Sequence, residues 1–291
     1  MKTKAFVILG VIIAVVISVF FIVRSCIVPP IDDSGSDSTI VTTGKPKPLN
    51  LSIYLDLSDR IKPDESNLDA LSQRDKDIAI VEYLANYMKD RAVKQKILPC
   101  KDKIKMFFYP TPDDSKIALL SDKLEVDLST TPPAEKKKVL ATFVDEFHEA
   151  MEQIYDSTIK TSKWLGSDIW GFFNKPVDNY CIKDGYRNVL VILTDGYIYH
   201  AQNKIQDGDA FSFVLPQTLR NPNSSLIPRR TGLEDLEVLM LELNPNPPTD
   251  QDKMEQVIND WLQNMGVQKY YVGETGLPSN TKMIIDKFLK K

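Results

Sequence analysis

The stretch Asn50-Leu51-Ser52-Ile53-Tyr54-Leu55-Asp56-Leu57-Ser58-Asp59-Arg60 runs an apolar strand pattern straight into two carboxylates, a hydroxyl and a guanidinium. In a parallel sheet covered on both faces, side chains that leave the carboxyl end of a strand face an open crevice. Asp56 and Ser58, two residues apart on the exit loop, offer hard oxygens suited to a small cation. The same two residues also suit a plain turn cap. Neighbouring stretches bear on that choice.

Downstream, strand and helix signals alternate. Residues 75–91 carry Ile78, Val81, Leu84 and Met88 at helical spacing. Residues 103–109 read as a second strand stopped by Pro110. Residues 116–128, with Ile117, Leu119, Leu124 and Val126, read as a further strand, antiparallel to the second because the link is short. Pro132 and Pro133 open a helix to Thr158 with the core stripe Leu140, Phe143, Val144, Phe147, Met151 and Ile154. Residues 187–194 form the most continuous apolar run, ending in Asp195-Gly196. Strands at 236–243 and 268–272 and helices at 250–265 and 280–289 complete the pattern. The expected fold is α/β: a doubly wound, mostly parallel sheet with one antiparallel edge strand and helices on both faces.

At the other end of the chain, residues 5–23 are an almost unbroken apolar run preceded by Lys2 and Lys4. About 20 residues cross a bilayer, and positive charge beside the N-terminus favours keeping that end in the cytoplasm. The reading is a single-pass anchor over residues 1–25, with the rest outside the cytoplasm. Phe20, Phe21 and Ile22 stand where a cleaved signal would need small residues, and Arg24 fits poorly in a lipoprotein box before Cys26. Residues 26–48 are rich in Pro, Ser, Thr, Asp and Gly and read as a flexible linker, leaving 49–291 as the domain.

Two further stretches point at the same crevice. Leu165-Gly166-Ser167-Asp168-Ile169 precedes a helix-like segment, with Ser167 as its expected N-cap. Thr194-Asp195-Gly196 follows the best strand. Together with Asp56 and Ser58, this order resembles a von Willebrand factor A-type domain over nearly all the exported chain. That family carries an Asp-x-Ser-x-Ser loop, a Thr in a Gly-Gly-Thr-like loop, and an Asp in a Thr-Asp-Gly-like turn. Asp56 and Ser58 match the first two positions, Ser167 stands where Thr is usual, and Asp195 matches the last. The resemblance implies a vWA/Rossmann-like fold and a metal-ion-dependent adhesion site. Asp56, Ser58, Ser167 and Asp195 would hold magnesium, or manganese instead, and an acidic group of a protein partner would complete the shell. One position departs: Arg60 replaces the second Ser. A guanidinium cannot ligate a cation. Arg60 either pairs with Asp59 or Asp195 and leaves the site metal-free, or points outward toward an acidic partner. Asp168 and His200, near the crevice, join Arg60 as candidate partner contacts.

Composition narrows the function further. A formal net charge of −4, with Lys and Arg scattered, gives no support to nucleic-acid binding. The two histidines, His148 and His200, are far apart and the cysteines show no ligand spacing, which argues against zinc. Cys100 and Cys181 each precede an expected strand, so both should lie at one edge of the sheet, where an oxidising envelope would favour a disulfide. Trp164 and Trp170, flanking Ser167, read as packing residues. Residues 196–233 make a long connection over the crevice, with 210–215 as an extra hairpin strand. The expected function is a membrane-tethered binding protein rather than an enzyme. A structural envelope component with an inert site is the second reading. A phosphohydrolase with a strand-end Asp nucleophile is the third, and Ser58 stands where it would need a second Asp.

Overall fold

The computed structural model describes residues 46–63, 71–112, 114–161, 166–197, 206–207, 210–211, 232–245, 248–274 and 276–290. The chain divides into Met1–Lys45 and Pro46–Lys291, and all described residues lie in the second unit. The anchor, His200, Trp164 and most of the long connection therefore lie outside the described residues. Among the described residues no helix is long and apolar enough to cross a membrane.

The first strand, β1 (Leu49–Leu55), is followed by helix α1 (Gln73–Lys94) and strand β2 (Lys103–Phe107). Helix α2 (Ser115–Ser121), strand β3 (Glu125–Asp127) and the long helix α3 (Lys136–Thr161) come next. Two short helices, α4 (Ile169–Asn174) and α5 (Pro176–Cys181), lead into β4 (Arg187–Leu193). The small pair β5 (Gln206–Asp207) and β6 (Ala210–Phe211) forms a hairpin apart from the main sheet. Strand β7 (Leu236–Leu241), helix α6 (Gln251–Asn264), strand β8 (Lys269–Gly273) and helix α7 (Pro278–Lys290) complete the domain.

The main sheet has six strands in the order β3-β2-β1-β4-β7-β8. All pairs are parallel except β2 with β3. From β1 the chain builds outward to β2 and β3, then returns to the other side of β1 with β4. The winding direction thus reverses between β1 and β4, and in open α/β sheets the binding crevice lies outside such a point. The linker end is tied in as well: Pro48 and Lys47 carbonyls accept from Arg187 N at 2.9 Å and Arg91 Nη2 at 2.9 Å.

β1 alternates by the period of a pleated strand. Leu51, Ile53 and Leu55 face a core shared with α1, α2, α3 and α7, whereas Tyr54 faces a second core shared with α4, α5 and α6. β4 divides likewise: Val189, Val191 and Leu193 enter the first core, Leu190 and Ile192 the second. A strand buried on both faces has to be apolar throughout, which is why residues 187–193 are so legible.

Two expectations are corrected here. Residues 116–128 are not one strand. Asp114 caps α2, its Oδ1 accepting from the backbone N–H of Lys116 at 2.8 Å and of Ile117 at 3.3 Å. Ile117 and Leu120, three apart, bury one helical face, and only the three residues of β3 pair with β2. Cys100 and Cys181 are free and buried rather than bonded. They do precede β2 and β4, but Cys100 packs into the first core and Cys181 into the second, so the sheet lies between them.

Candidate functional site

Asp56 leaves β1 beside the end of β4. Its backbone N–H donates to Leu193 O at 3.1 Å. Its carboxylate is 1% exposed and accepts from Ser58 N at 2.8 Å and from Thr194 Oγ1 at 2.8 Å. Burial pushes the Asp56 carboxyl up, opposed by Arg60 and by these hydrogen bonds. Asp195, next along the β4 exit, accepts from Tyr197 N at 3.2 Å. Burial and then the Asp56 charge push its carboxyl up to about 7, against the pull of Arg60.

The third stretch reaches the same place by an isolated antiparallel bridge between Leu57 and Gly166. Gly166 has φ 69°, the left-handed region that suits glycine. The register of that bridge sets Ser167 across from Asp56. Ser167 is buried, and its Oγ lies 2.7 Å from Tyr54 Oη. Asp56 and Ser58 on the β1 exit, Asp195 on the β4 exit and Ser167 on the bridged loop thus all sit on the loops at the switch point. Ser58 adds a distinctive feature: its Oγ is enclosed and makes no hydrogen bond of regular geometry among the described residues, although the hydroxyl is near enough to the Asp56 carboxylate to pull its carboxyl down. A buried hydroxyl without a partner costs free energy unless something else satisfies it.

Arg60 neither pairs with Asp59 or Asp195 nor points outward. Its side chain is 4% exposed and its Nη2 meets Asp77 Oδ2 at 2.5 Å. It also donates from Nε to Asp56 O at 3.2 Å and from Nη2 to Leu193 O at 3.1 Å. Asp77 accepts in addition from Tyr155 Oη at 2.5 Å and from Gln73 Nε2 at 2.9 Å. The physical reason is compensation: a buried guanidinium needs a buried carboxylate, and Asp77 is fully buried on α1 while Asp59 is exposed. Sequence reading missed Asp77 and Tyr155. The signal was there: Asp77 sits on the apolar stripe of α1, four residues before Val81, and a carboxylate on such a stripe implies an inward partner.

Ser167 is not the N-cap of α4; Asp168 is, accepting from Gly171 N at 2.8 Å. Its backbone N–H in turn donates to Tyr109 O at 3.0 Å. Trp170 packs against the second core, as expected of it. Beside the site opens a cavity of about 400 Å³ lined by Asp59, Arg60, Gln73, Asp195, Tyr197, Glu242 and Asn244. Glu242, missed from sequence, has a left-handed backbone at φ 71° and accepts from Thr281 Oγ1 at 3.2 Å and Gln73 Nε2 at 3.4 Å.

The donors fit a hard divalent cation. They are all oxygens, two from carboxylates and two from hydroxyls, which is the chemistry magnesium and manganese prefer. Among the described residues no group of three His, Cys, Asp or Glu side chains could hold a metal, and a cation here would have two carboxylates only and depend on the Ser58 and Ser167 hydroxyls. Arg60 pairs with Asp77, and its charge also offsets part of that of Asp56 and Asp195.

No family model matches the chain, and no curated protein matches it. Among solved structures, an aerotolerance-related membrane protein from Bacteroides fragilis is similar at 13% identity and TM-score 0.41, over 83% of this chain and 98% of that one. A conserved hypothetical protein BatB from Bacteroides thetaiotaomicron is similar at 13% identity and TM-score 0.39, over 84% of this chain and 100% of that one. The pilus adhesin SpaC from Lactobacillus rhamnosus GG is similar at 8% identity and TM-score 0.39, over 84% of this chain and 30% of that one. These scores lie below 0.5, and the fold rests on the strand order and winding described above.

Proposed function

We propose that the domain is a von Willebrand A-like binding module, tethered to a membrane by residues 5–23 and displayed outside the cytoplasm. It would recognise a protein partner through a divalent cation held by Asp56, Ser58, Ser167 and Asp195. What supports this reading is that the loops carrying these oxygens leave neighbouring strand ends at the switch point, with the Ser58 hydroxyl enclosed there without a regular hydrogen bond among the described residues. When bound, magnesium supplies a coordination position for an acidic group from outside. The chain's own residues do the rest. Asp56 is fixed by Ser58 N and Thr194 Oγ1, so its remaining lone pairs are held in place. Asp195 brings a second carboxylate whose ionisation is disfavoured by burial and by Asp56, and a cation relieves that cost. The 400 Å³ cavity beside Asp195 leaves room for a partner side chain.

The test is a thermal melt of the full chain in detergent with magnesium, manganese or chelator. An ion that binds only the folded state stabilises by about 2.7 kcal/mol at a hundredfold excess over its dissociation constant. The domain is expected to melt higher with either ion, and Asp195→Ala to abolish the gain. In chelator the same variant should be no less stable, because repulsion between clustered carboxylates falls. Identical wild-type curves in all three buffers would leave a metal-free interaction domain, the reading favoured by the guanidinium at position 60. Pull-down of partners with magnesium and with chelator then tests the binding role.

A further inference from the structure

Tyr54 lies two residues before Asp56 on β1, on the strand face that enters the second core. It is fully buried, and its ring packs edge-on against Phe107 at 5.5 Å and Phe172 at 5.1 Å. A phenylalanine would fill that aromatic cluster as well, so the buried hydroxyl calls for a separate explanation. The phenol reaches two oxygens: Tyr109 O at 2.6 Å and Ser167 Oγ at 2.7 Å. A carbonyl can only accept, so the single phenol hydrogen goes to Tyr109. At the second contact Ser167 must therefore be the donor.

We propose that Tyr54 is a positioning residue for the cation site: by taking the Ser167 hydrogen it turns the Ser167 lone pairs away from the second core and toward the Asp56 loop. A hydroxyl can ligate a cation only through a lone pair, and a hydrogen aimed at the ion would repel it. The Leu57–Gly166 bridge sets Ser167 across from Asp56, so the freed lone pairs lie on the side where the other donors are. This inference rests on the cation reading above. It assigns to Tyr54 the part that an outer hydrogen-bond partner commonly plays in fixing a metal ligand.

The test uses the full chain in detergent as wild type, Tyr54→Phe, Ser167→Ala and the double variant. Magnesium and manganese affinities are measured by calorimetric titration, and melts are recorded in chelator. Tyr54→Phe is expected to weaken both ions on the order of tenfold, the low end for loss of an outer partner. Its melt in chelator should fall modestly, because Tyr109 O and the Ser167 hydroxyl each lose a buried partner. Because Tyr54 acts through Ser167, the double variant should bind no more weakly than Ser167→Ala alone. A second readout needs no metal: in chelator, Ser167→Ala removes the donor to the phenol oxygen and should give a tyrosine difference signal in the near ultraviolet. This measurement also serves if Tyr54→Phe does not fold. Wild-type affinity in Tyr54→Phe, independent losses in the double variant, or no tyrosine difference signal would each overturn the positioning role while leaving the cation site standing. Absence of binding heat from wild type with either ion would overturn the cation reading and this inference with it.

Discussion

Asp195 is the side chain whose charge depends most on what surrounds it. Burial and the neighbouring Asp56 raise its carboxyl to about 7, above the ordinary value of 3.8 that the unfolded chain shows. Between those two values the folded state holds a proton that the unfolded state has lost. Stability from this residue is therefore full below about pH 4, falls as pH rises toward 7, and is flat above. The size is on the order of 4 kcal/mol without a cation. Other carboxylates run the opposite way: Glu237 is lowered by Arg187 and Lys269 despite its burial, and its contribution is lost as pH falls through its folded value. The measurement is thus a difference, with urea denaturation of wild type and Asp195→Asn in chelator between pH 4 and 8. Wild type is expected to lose stability relative to the variant across pH 4–7, and saturating magnesium should remove that loss. Parallel stability profiles would show that Asp195 titrates in the ordinary range. At this scale the sequence was informative about which oxygens sit on neighbouring loops, because strand exits place them. It was silent on proton direction, since that depends on Tyr54 and Tyr109, 55 residues apart in the chain.

Arg60 joins elements rather than residues. Through Asp77 it grips α1, through the Asp56 and Leu193 carbonyls it holds the ends of β1 and β4, and Tyr155 brings in α3. A serine at position 60 would restore the family pattern but leave Asp77 buried without its counter-charge. Arg60→Ser is therefore expected to destabilise rather than to improve the site. Breaking one side of a buried pair costs on the order of 3–5 kcal/mol, whereas replacing both sides with apolar groups is often near neutral. Arg60→Met should accordingly lose about that much in urea denaturation, and Arg60→Met with Asp77→Leu should recover most of it. A single Arg60→Met variant as stable as wild type would show that the pair is energetically idle. The partner was hard to read from sequence because charge pairs carry no periodicity, although Asp77 on an apolar stripe was a usable sign. The misreading of residues 116–128 has a related cause. Ile117, Leu119, Leu124 and Val126 fit a strand period only if Leu119 points inward. In fact Leu119 is 68% exposed, and the inward residues Ile117 and Leu120 follow the helical spacing set by the Asp114 cap.

The whole domain is arranged so that one edge of the sheet is open for binding and the other is closed on itself. At the carboxyl edge lie the paired loops and the cavity beside Asp195. At the amino edge a larger space of about 490 Å³ opens near Pro46, where Arg187 and Lys269 both bind Glu237, and Arg91 binds Asp102. Arg187 and Lys269 also donate to the last carbonyls of α7, which the helix itself cannot satisfy. The chain enters the domain at this closed edge, because Lys47 and Pro48 are bound by Arg91 and by the start of β4. We expect residues 5–23 to remain in the mature protein, since the apolar run is long enough to span and lacks small residues at a cleavage position. Mass spectrometry of the membrane-extracted protein decides the matter. An intact N-terminal segment supports the anchor, and a mature N-terminus at a lipid-bearing Cys26 would replace it with a lipid.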